Sequence, residues 1–243
     1  MRKDGRTAED LRKIEIIPNV NLYAEGSCLI KCGNTHVLCT ASVSPEIPAW
    51  LKGGNKGWIT AEYSLLPRAT QTRVNRETKG VGGRTAEIQR LIGRSLRAAV
   101  DLTEMPEMCV QVDCDVLQAD GGTRTASITG GFVALYLAMQ KMVKNGVLPR
   151  NPIREYVAAV SCGICNGVPI LDLNYEEDSH ADADTNFVLT ESGKIVEIQA
   201  TAEGAVFGEN EFNELFRLAK QGIHQLIMAQ KKRLTDRSYK YET

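Results

Sequence analysis

The chain has 243 residues, 43% hydrophobic and 24% charged, with 29 basic residues against 30 acidic ones for a net charge of −1. That composition fills the core of one or two domains and excludes a disordered chain, and no apolar run reaches the ~18 residues that a membrane helix needs. Seven cysteines lie mostly in apolar, strand-like runs, and the charged N-terminus has no apolar h-region behind it, so reduced thiols in a cytoplasmic protein are expected rather than a disulfide framework.

Residues 14–43 read as strands, and Ser27–Lys31 and Thr35–Val43 flank the turn-prone pair Gly33-Asn34, which predicts a hairpin. Prolines and glycines make 44–57 a loop, and a short strand follows over Trp58–Leu66. The stretch 67–85 is polar, basic and Gly-rich, and is expected to be a mobile surface loop. From Ala86 to Val100 an apolar stripe at Ile88, Leu91, Ile92, Leu96 and Val100 predicts a helix, with Arg90, Arg94 and Arg97 on another face. Val110, Val112, Cys114 and Val116 alternate along a strand. Ala126–Val143 is apolar nearly all round, the mark of a buried helix, and Gly130-Gly131 permits close packing or a kink within it. Two further hairpins are predicted, Tyr156–Ile164 with Ile170–Asn174 around Asn166-Gly167, and Phe187–Thr190 with Lys194–Gln199 around Glu191-Ser192-Gly193. Glu211–Gln230 is an amphipathic helix. Segregated runs of strands and helices predict an α+β (mixed α/β) fold, one compact domain over 1–235 with a polar tail at 236–243.

The neutral total hides an uneven distribution. Between Arg68 and Arg97 eight basic residues face two acidic ones, a net of +6, whereas Asp172 to Asp184 holds six acids and no Lys or Arg. A basic block and an acidic block in one chain suggest a polyanion substrate and a cation site. Asp120-Gly-Gly-Thr-Arg-Thr125 joins a strand to a helix, where free first-turn amides and the helix dipole favour an anion. Glycines allow close approach, Thr123 offers a hydroxyl and Arg124 a fork; an ordinary turn capped by Thr is the competing reading. Arg84, after Gly82-Gly83 and just before a helix, could also face an anion or simply be solvated. If a strand runs through the acidic segment, Asp178, Asp182 and Asp184 face one way and suit Mg²⁺ or Mn²⁺; a solvated loop is the alternative. His180 receives no role. Cys162 and Cys165 have Cys-x-x-Cys spacing, with Cys28 and Cys32 as further candidate ligands, yet both pairs fall on strands, which favours core thiols. The basic stretch could hold nucleic-acid backbone; a solvated arginine face or subunit contacts, with Arg90, Arg94 and Arg97 serving structure, is the competing reading. Aromatic residues are only 6%, so a broad base-stacking platform is not evident, although one base could stack on a single ring.

Longer motifs carry a resemblance. Met1-Arg-Lys-Asp-Gly-Arg6, Gly57-Trp-Ile-Thr-Ala-Glu-Tyr63, Leu66-Pro-Arg68, Gly83-Arg-Thr-Ala-Glu-Ile-Gln-Arg-Leu-Ile-Gly-Arg94, the run Asp113 to Ile128 and Leu171-Asp-Leu-Asn-Tyr-Glu-Glu-Asp178 closely resemble the bacterial ribonuclease PH family over about residues 1–235. The resemblance implies a phosphate-dependent 3′→5′ exoribonuclease that trims tRNA precursors and other RNA 3′ ends. Inorganic phosphate is its co-substrate, and nucleoside 5′-diphosphates are released. It implies a fold like the second domain of ribosomal protein S5 and a homohexameric ring, a trimer of dimers. Arg84, Gly122, Thr123 and Arg124 match the family's phosphate-binding residues. Asp178 and Asp184 match its catalytic acids, implicated with Mg²⁺, and Asp184 stands as either metal ligand or acid. Arg68, Arg73 and Arg76 match basic residues that hold tRNA. Thr185 stands where the family is expected to carry Met. A catalytically silent, RNA-binding ring subunit is the rival expectation, and retention of Arg84, Arg124, Asp178 and Asp184 weighs against it. A hydrolytic nuclease would need no dedicated phosphate loop.

Overall fold

The computed structural model describes residues 2–202 and 206–235. The predicted tail at 236–243 lies outside the described residues. Strands β1 (Ile14–Pro18), β2 (Gly26–Cys32), β3 (Thr35–Ser44), β4 (Trp58–Leu65) and β5 (Cys109–Gln118) form one sheet in the order β1-β2-β3-β5-β4. β2 and β3 are the predicted hairpin, antiparallel from Cys32 opposite Thr35, with Gly33 at φ 56° in the turn. β4 pairs parallel with β5, an arrangement that requires a crossover, and helix α1 (Gly83–Ala98) lies in it. Helix α1 begins three residues before the predicted Ala86. The Glu77 carboxylate accepts hydrogen bonds from the Gly82 amide (3.1 Å) and the Thr85 hydroxyl (2.9 Å), which secures that first turn. Arg94 and Arg97 are used internally: Arg94 pairs with Glu197, and Arg97 donates to the Ile59 carbonyl at 2.8 Å while lying 4.5 Å over the Trp58 ring.

Helix α2 (Thr123–Lys144) packs one side on β2 and β3 and the other on β6 (Val157–Cys165), which explains a sequence apolar all round. A Cβ at Gly130 would lie 2.6 Å from Cγ2 of Ile30, so this glycine serves close packing and the helix runs unbroken. The second sheet is antiparallel, in the order β7-β6-β8-β9, with β7 (Val168–Leu171), β8 (Ala183–Thr190) and β9 (Ile195–Ala202). Helix α4 (Glu209–Thr235) covers its far face, so β6 is buried on both sides. Along β8 the odd positions turn to that helix, with the Phe187 ring 5.9 Å from Phe216, and Asp184 and Asn186 turn the other way. Gln230 donates to the Thr129 and Val157 carbonyls, both at 3.0 Å, tying α4 to α2 and β6.

The acidic segment is not one continuous strand, and of its six acids only Asp184 lies in a strand. β7 stops at Leu171 rather than the predicted Asn174, because Asp172 takes a left-handed conformation (φ 56°) and Asn174 caps a single helical turn, α3 (Tyr175–Asp178). Asn174 and Glu177 form a reciprocal capping box there. No helix among the described residues is long and apolar enough to cross a membrane.

Candidate active site

A cleft of about 860 Å³ opens where the two sheets meet the N-termini of α1 and α2, and Arg84, Gly122, Thr123, Arg124, Asp178 and Asp184 all line it. Residues from distant segments thus converge: Arg84 from the first turn of α1, Asp178 from the end of α3, Asp184 from the start of β8.

The loop before α2 is shaped by its backbone. Gly121 and Gly122 have φ of 74° and 66°, left-handed values that favour glycine. A Cβ at Gly121 would sit 2.6 Å from the Leu173 carbonyl oxygen, so no larger residue fits against the segment leading to α3. Gly122 is the helix N-cap and no side chain accepts from the first-turn amides. The Thr125 and Ser127 hydroxyls donate instead to the Gly122 and Thr123 carbonyls at 2.9 and 2.8 Å. The alternative of a turn capped by Thr is therefore set aside: the first-turn amides have no capping side chain beside the cleft.

Neighbours orient the polar side chains. The Thr123 hydroxyl is 2.8 Å from the Tyr63 hydroxyl, whose residue is only 4% exposed. Burial raises the Tyr63 phenol above its ordinary range, outweighing the hydrogen bond with Thr123 and the charges of Arg84 and Arg124. Arg124 donates to the Gln199 side-chain oxygen at 3.2 Å, and the Gln199 amide donates to Glu87 at 3.2 Å, joining α2, β9 and α1 across the cleft wall.

Arg12 had no signal in the sequence. It is 7% exposed and grips Asp172, itself 5% exposed, through Nε (3.0 Å), Nη2 (2.7 Å) and its backbone amide (2.7 Å). Its Nη1 donates to the Asp120 carbonyl at 2.5 Å. Burial alone would lower the Arg12 pKa, but the charge and hydrogen bonding of Asp172 outweigh burial and hold it above the ordinary value. The Asp120 carboxylate in turn accepts from the Tyr175 amide at 3.2 Å. One buried ion pair thus braces both the glycine loop and the turn that carries Asp178.

Other expectations fare differently. Asp182 does not join Asp178 and Asp184, since its carboxylate accepts from the Gly167 amide in the β6–β7 turn at 3.4 Å. Arg68, Arg73 and Arg76 are exposed on the segment before α1 and do not line the cleft. His180 is exposed beside Ser179 and the Glu176 carbonyl. Cys28 and Cys32 belong to the core under the first sheet, and Cys162 to the core under α4. No group of three or more His, Cys, Asp or Glu side chains is placed to hold a metal among the described residues.

The 3′ exoribonuclease family pattern matches this chain in two parts, domain 1 at residues 10–140 and domain 2 at 155–222. Ribonuclease PH of Neisseria meningitidis serogroup C is 56% identical over 233 residues, 95% of this chain and 96% of the relative. Ribonuclease PH of Rhodospirillum rubrum is 55% identical over 95% of this chain and 97% of its own. Among solved structures, the Archaeoglobus fulgidus exosome with RNA bound to the active site superposes with a TM-score of 0.81 at 28% identity, covering 93% of this chain and 91% of that one. Rice Rrp46 superposes with a TM-score of 0.79 at 20% identity, covering 96% of this chain and 100% of that one, and shares the fold. The chain belongs to the ribonuclease PH family, phosphorolytic 3′ exoribonucleases that process tRNA.

Proposed function

We propose that phosphorolysis takes place in this cleft, with Arg84, the α2 first-turn amides, Thr123 and Arg124 seating inorganic phosphate. The observation that carries this is the convergence of two arginines and an uncapped helix N-terminus on one cleft with Asp178 and Asp184. A phosphate oxygen attacks the phosphorus of the last phosphodiester and the P–O3′ bond breaks. A nucleoside 5′-diphosphate leaves, and the new RNA end takes a proton on O3′. Bringing one anion onto another needs fixed positive charge, which the guanidinium groups and oriented amides supply without reorganisation.

Two carboxylates on one cleft fit Mg²⁺ or Mn²⁺, ions that take one or two carboxylates and complete their shell with substrate phosphate oxygens and water. Asp178 and Asp184 would hold the ion, which supplies positive charge to the scissile phosphate when bound. Arg68, Arg73 and Arg76 take RNA backbone outside the cleft, and a homohexameric ring multiplies that basic edge around tRNA precursors in the cytoplasm. Electrostatic attachment of that kind weakens steeply with salt.

The test is a tRNA precursor with a 3′ tail and Mg²⁺, with and without inorganic phosphate. Nucleoside diphosphates are expected only with phosphate. Arg84→Ala should raise the KM for phosphate about tenfold or more, as expected for loss of a charge-assisted contact, while RNA is still bound. Asp184→Asn should stop turnover in a folded protein. Unchanged phosphate KM in the first variant and full turnover in the second would remove the reaction from this cleft.

A further inference from the structure

Tyr175 is the first residue of α3 and is 61% exposed, yet it lines the cleft together with Asp178 and Ser179, three and four residues further on. That spacing puts all three on one face of the turn. The backbone beneath the ring is fixed: the Tyr175 amide donates to Asp120, the capping box holds the turn, and a Cβ on Gly121 would come within 2.8 Å of the Tyr175 nitrogen. The ring stacks on no other aromatic ring among the described residues. Tyr63, the other aromatic residue of the cleft, is buried with its hydroxyl at Thr123. The cleft therefore presents one open aromatic surface, on the same helical turn as a carboxylate of the reacting centre.

We propose that Tyr175 seats the 3′-terminal nucleobase of the RNA, stacked on its ring, so that the 5′-phosphate of that nucleotide lies toward Asp178 and Asp184. Side chains three apart on a helix stand ~5–6 Å from one another, on the scale of the separation between a base and its own 5′-phosphate. Stacking tolerates any sequence because every base has a π-face, which suits an enzyme that removes each terminal nucleotide in turn. A purine covers more of the ring than a pyrimidine and gains more from it. In the reverse direction the same surface receives the base of an incoming nucleoside diphosphate. The inference rests on the placement of phosphorolysis in this cleft.

The probe is an oligoribonucleotide whose 3′-terminal base is 2-aminopurine, mixed with the full chain in the absence of phosphate so that no turnover occurs. Its fluorescence is expected to be quenched by the native protein, less so by Tyr175→Ala, and again by Tyr175→Phe, which restores the ring. With phosphate present, Tyr175→Ala should raise the KM for RNA about tenfold, more for a 3′-terminal A than U, and leave the KM for phosphate unchanged. Equal quenching and KM in the alanine variant, or a phenylalanine variant as impaired as alanine, overturns the proposal. So does an RNA defect accompanied by a changed oligomeric state in light scattering, which would make Tyr175 a subunit contact. If Arg84→Ala and Asp184→Asn are impaired and Tyr175→Ala is not, only the base seat fails. If all three behave as native, the cleft assignment fails with it.

Discussion

Arg12 holds a full charge almost out of reach of water, and its value lies in what it prevents. Without the Arg12 guanidinium, Asp172 would be a buried carboxylate left with the backbone amide of residue 12 and with Arg6, whose Nη1 is 3.5 Å away, and the Asp120 carbonyl would lose its donor. Arg12→Met is expected to destabilise the fold by about 3 kcal/mol, the lower end for breaking a buried pair because Arg6 remains, as read by urea unfolding. Tyr63→Phe removes one hydroxyl and keeps the ring. It should raise the KM for phosphate about fivefold, equivalent to about 1 kcal/mol for one hydrogen bond, with little change in the urea midpoint. These two residues mark where a single sequence stops being informative. Gly122, Thr123 and Arg124 are contiguous, and Arg84 and the acids stand in locally unusual stretches, so the sequence singled them out as candidates, and the fold brings Arg84, Gly122, Thr123, Arg124, Asp178 and Asp184 to one cleft. Arg12 meets partners 108 and 160 residues away, and Tyr63 meets Thr123 60 residues away. Nothing local distinguishes such an arginine from a solvated one.

At the scale of elements, the turn that carries Asp178 is held from outside the cleft. Glu177 caps it, receiving the Asn174 amide at 3.0 Å, and also receives Arg2 at 2.6 Å and Arg6 at 3.4 Å. Burial alone would raise the Glu177 pKa, but the hydrogen bonds from Arg2 and Asn174 and the two guanidinium charges bring it below the ordinary value. A carboxylate depressed in the folded state stabilises fully above its unfolded pKa of about 4.3, and that contribution is lost as pH falls through the lower folded value. Glu177→Gln should therefore be less stable than native by about 1–3 kcal/mol at neutral pH, with the gap closing below about pH 4 in thermal melts. The hairpins were legible because Gly33-Asn34 and Asn166-Gly167 announce their turns. The acidic segment misled because even spacing was read as a strand, although Asn174 and Glu177 already had the spacing of a capping box. The parallel partnership of β4 and β5 left no trace in the periodicity, since pairing direction depends on where α1 returns the chain.

Across the whole molecule, α2 serves both sheets, and the thiols report how closed that packing is. Cys28, Cys32, Cys39, Cys114 and Cys162 are buried, and Cys109 and Cys165 are half-buried. Burial pushes the Cys32 thiol up to about 12, and raises those of Cys109 and Cys165 as well. A thiol reagent at neutral pH should label at most Cys109 and Cys165 in the native protein, and those slowly, with all seven reacting in denaturant. Rapid labelling of five or more would mean that the layers open readily. The brace on the glycine loop has a further consequence in time. A chain emerges from the ribosome N-terminal end first. The Gly-Gly-Thr-Arg loop and Arg84 are made first, and Asp172, Asp178 and Asp184 follow only in the last third of synthesis. Until residue 172 is out, Arg12 has no Asp172 carboxylate to grip, so a nascent chain, or one terminated before that point, lacks the ion pair that braces the glycine loop against the turn carrying Asp178.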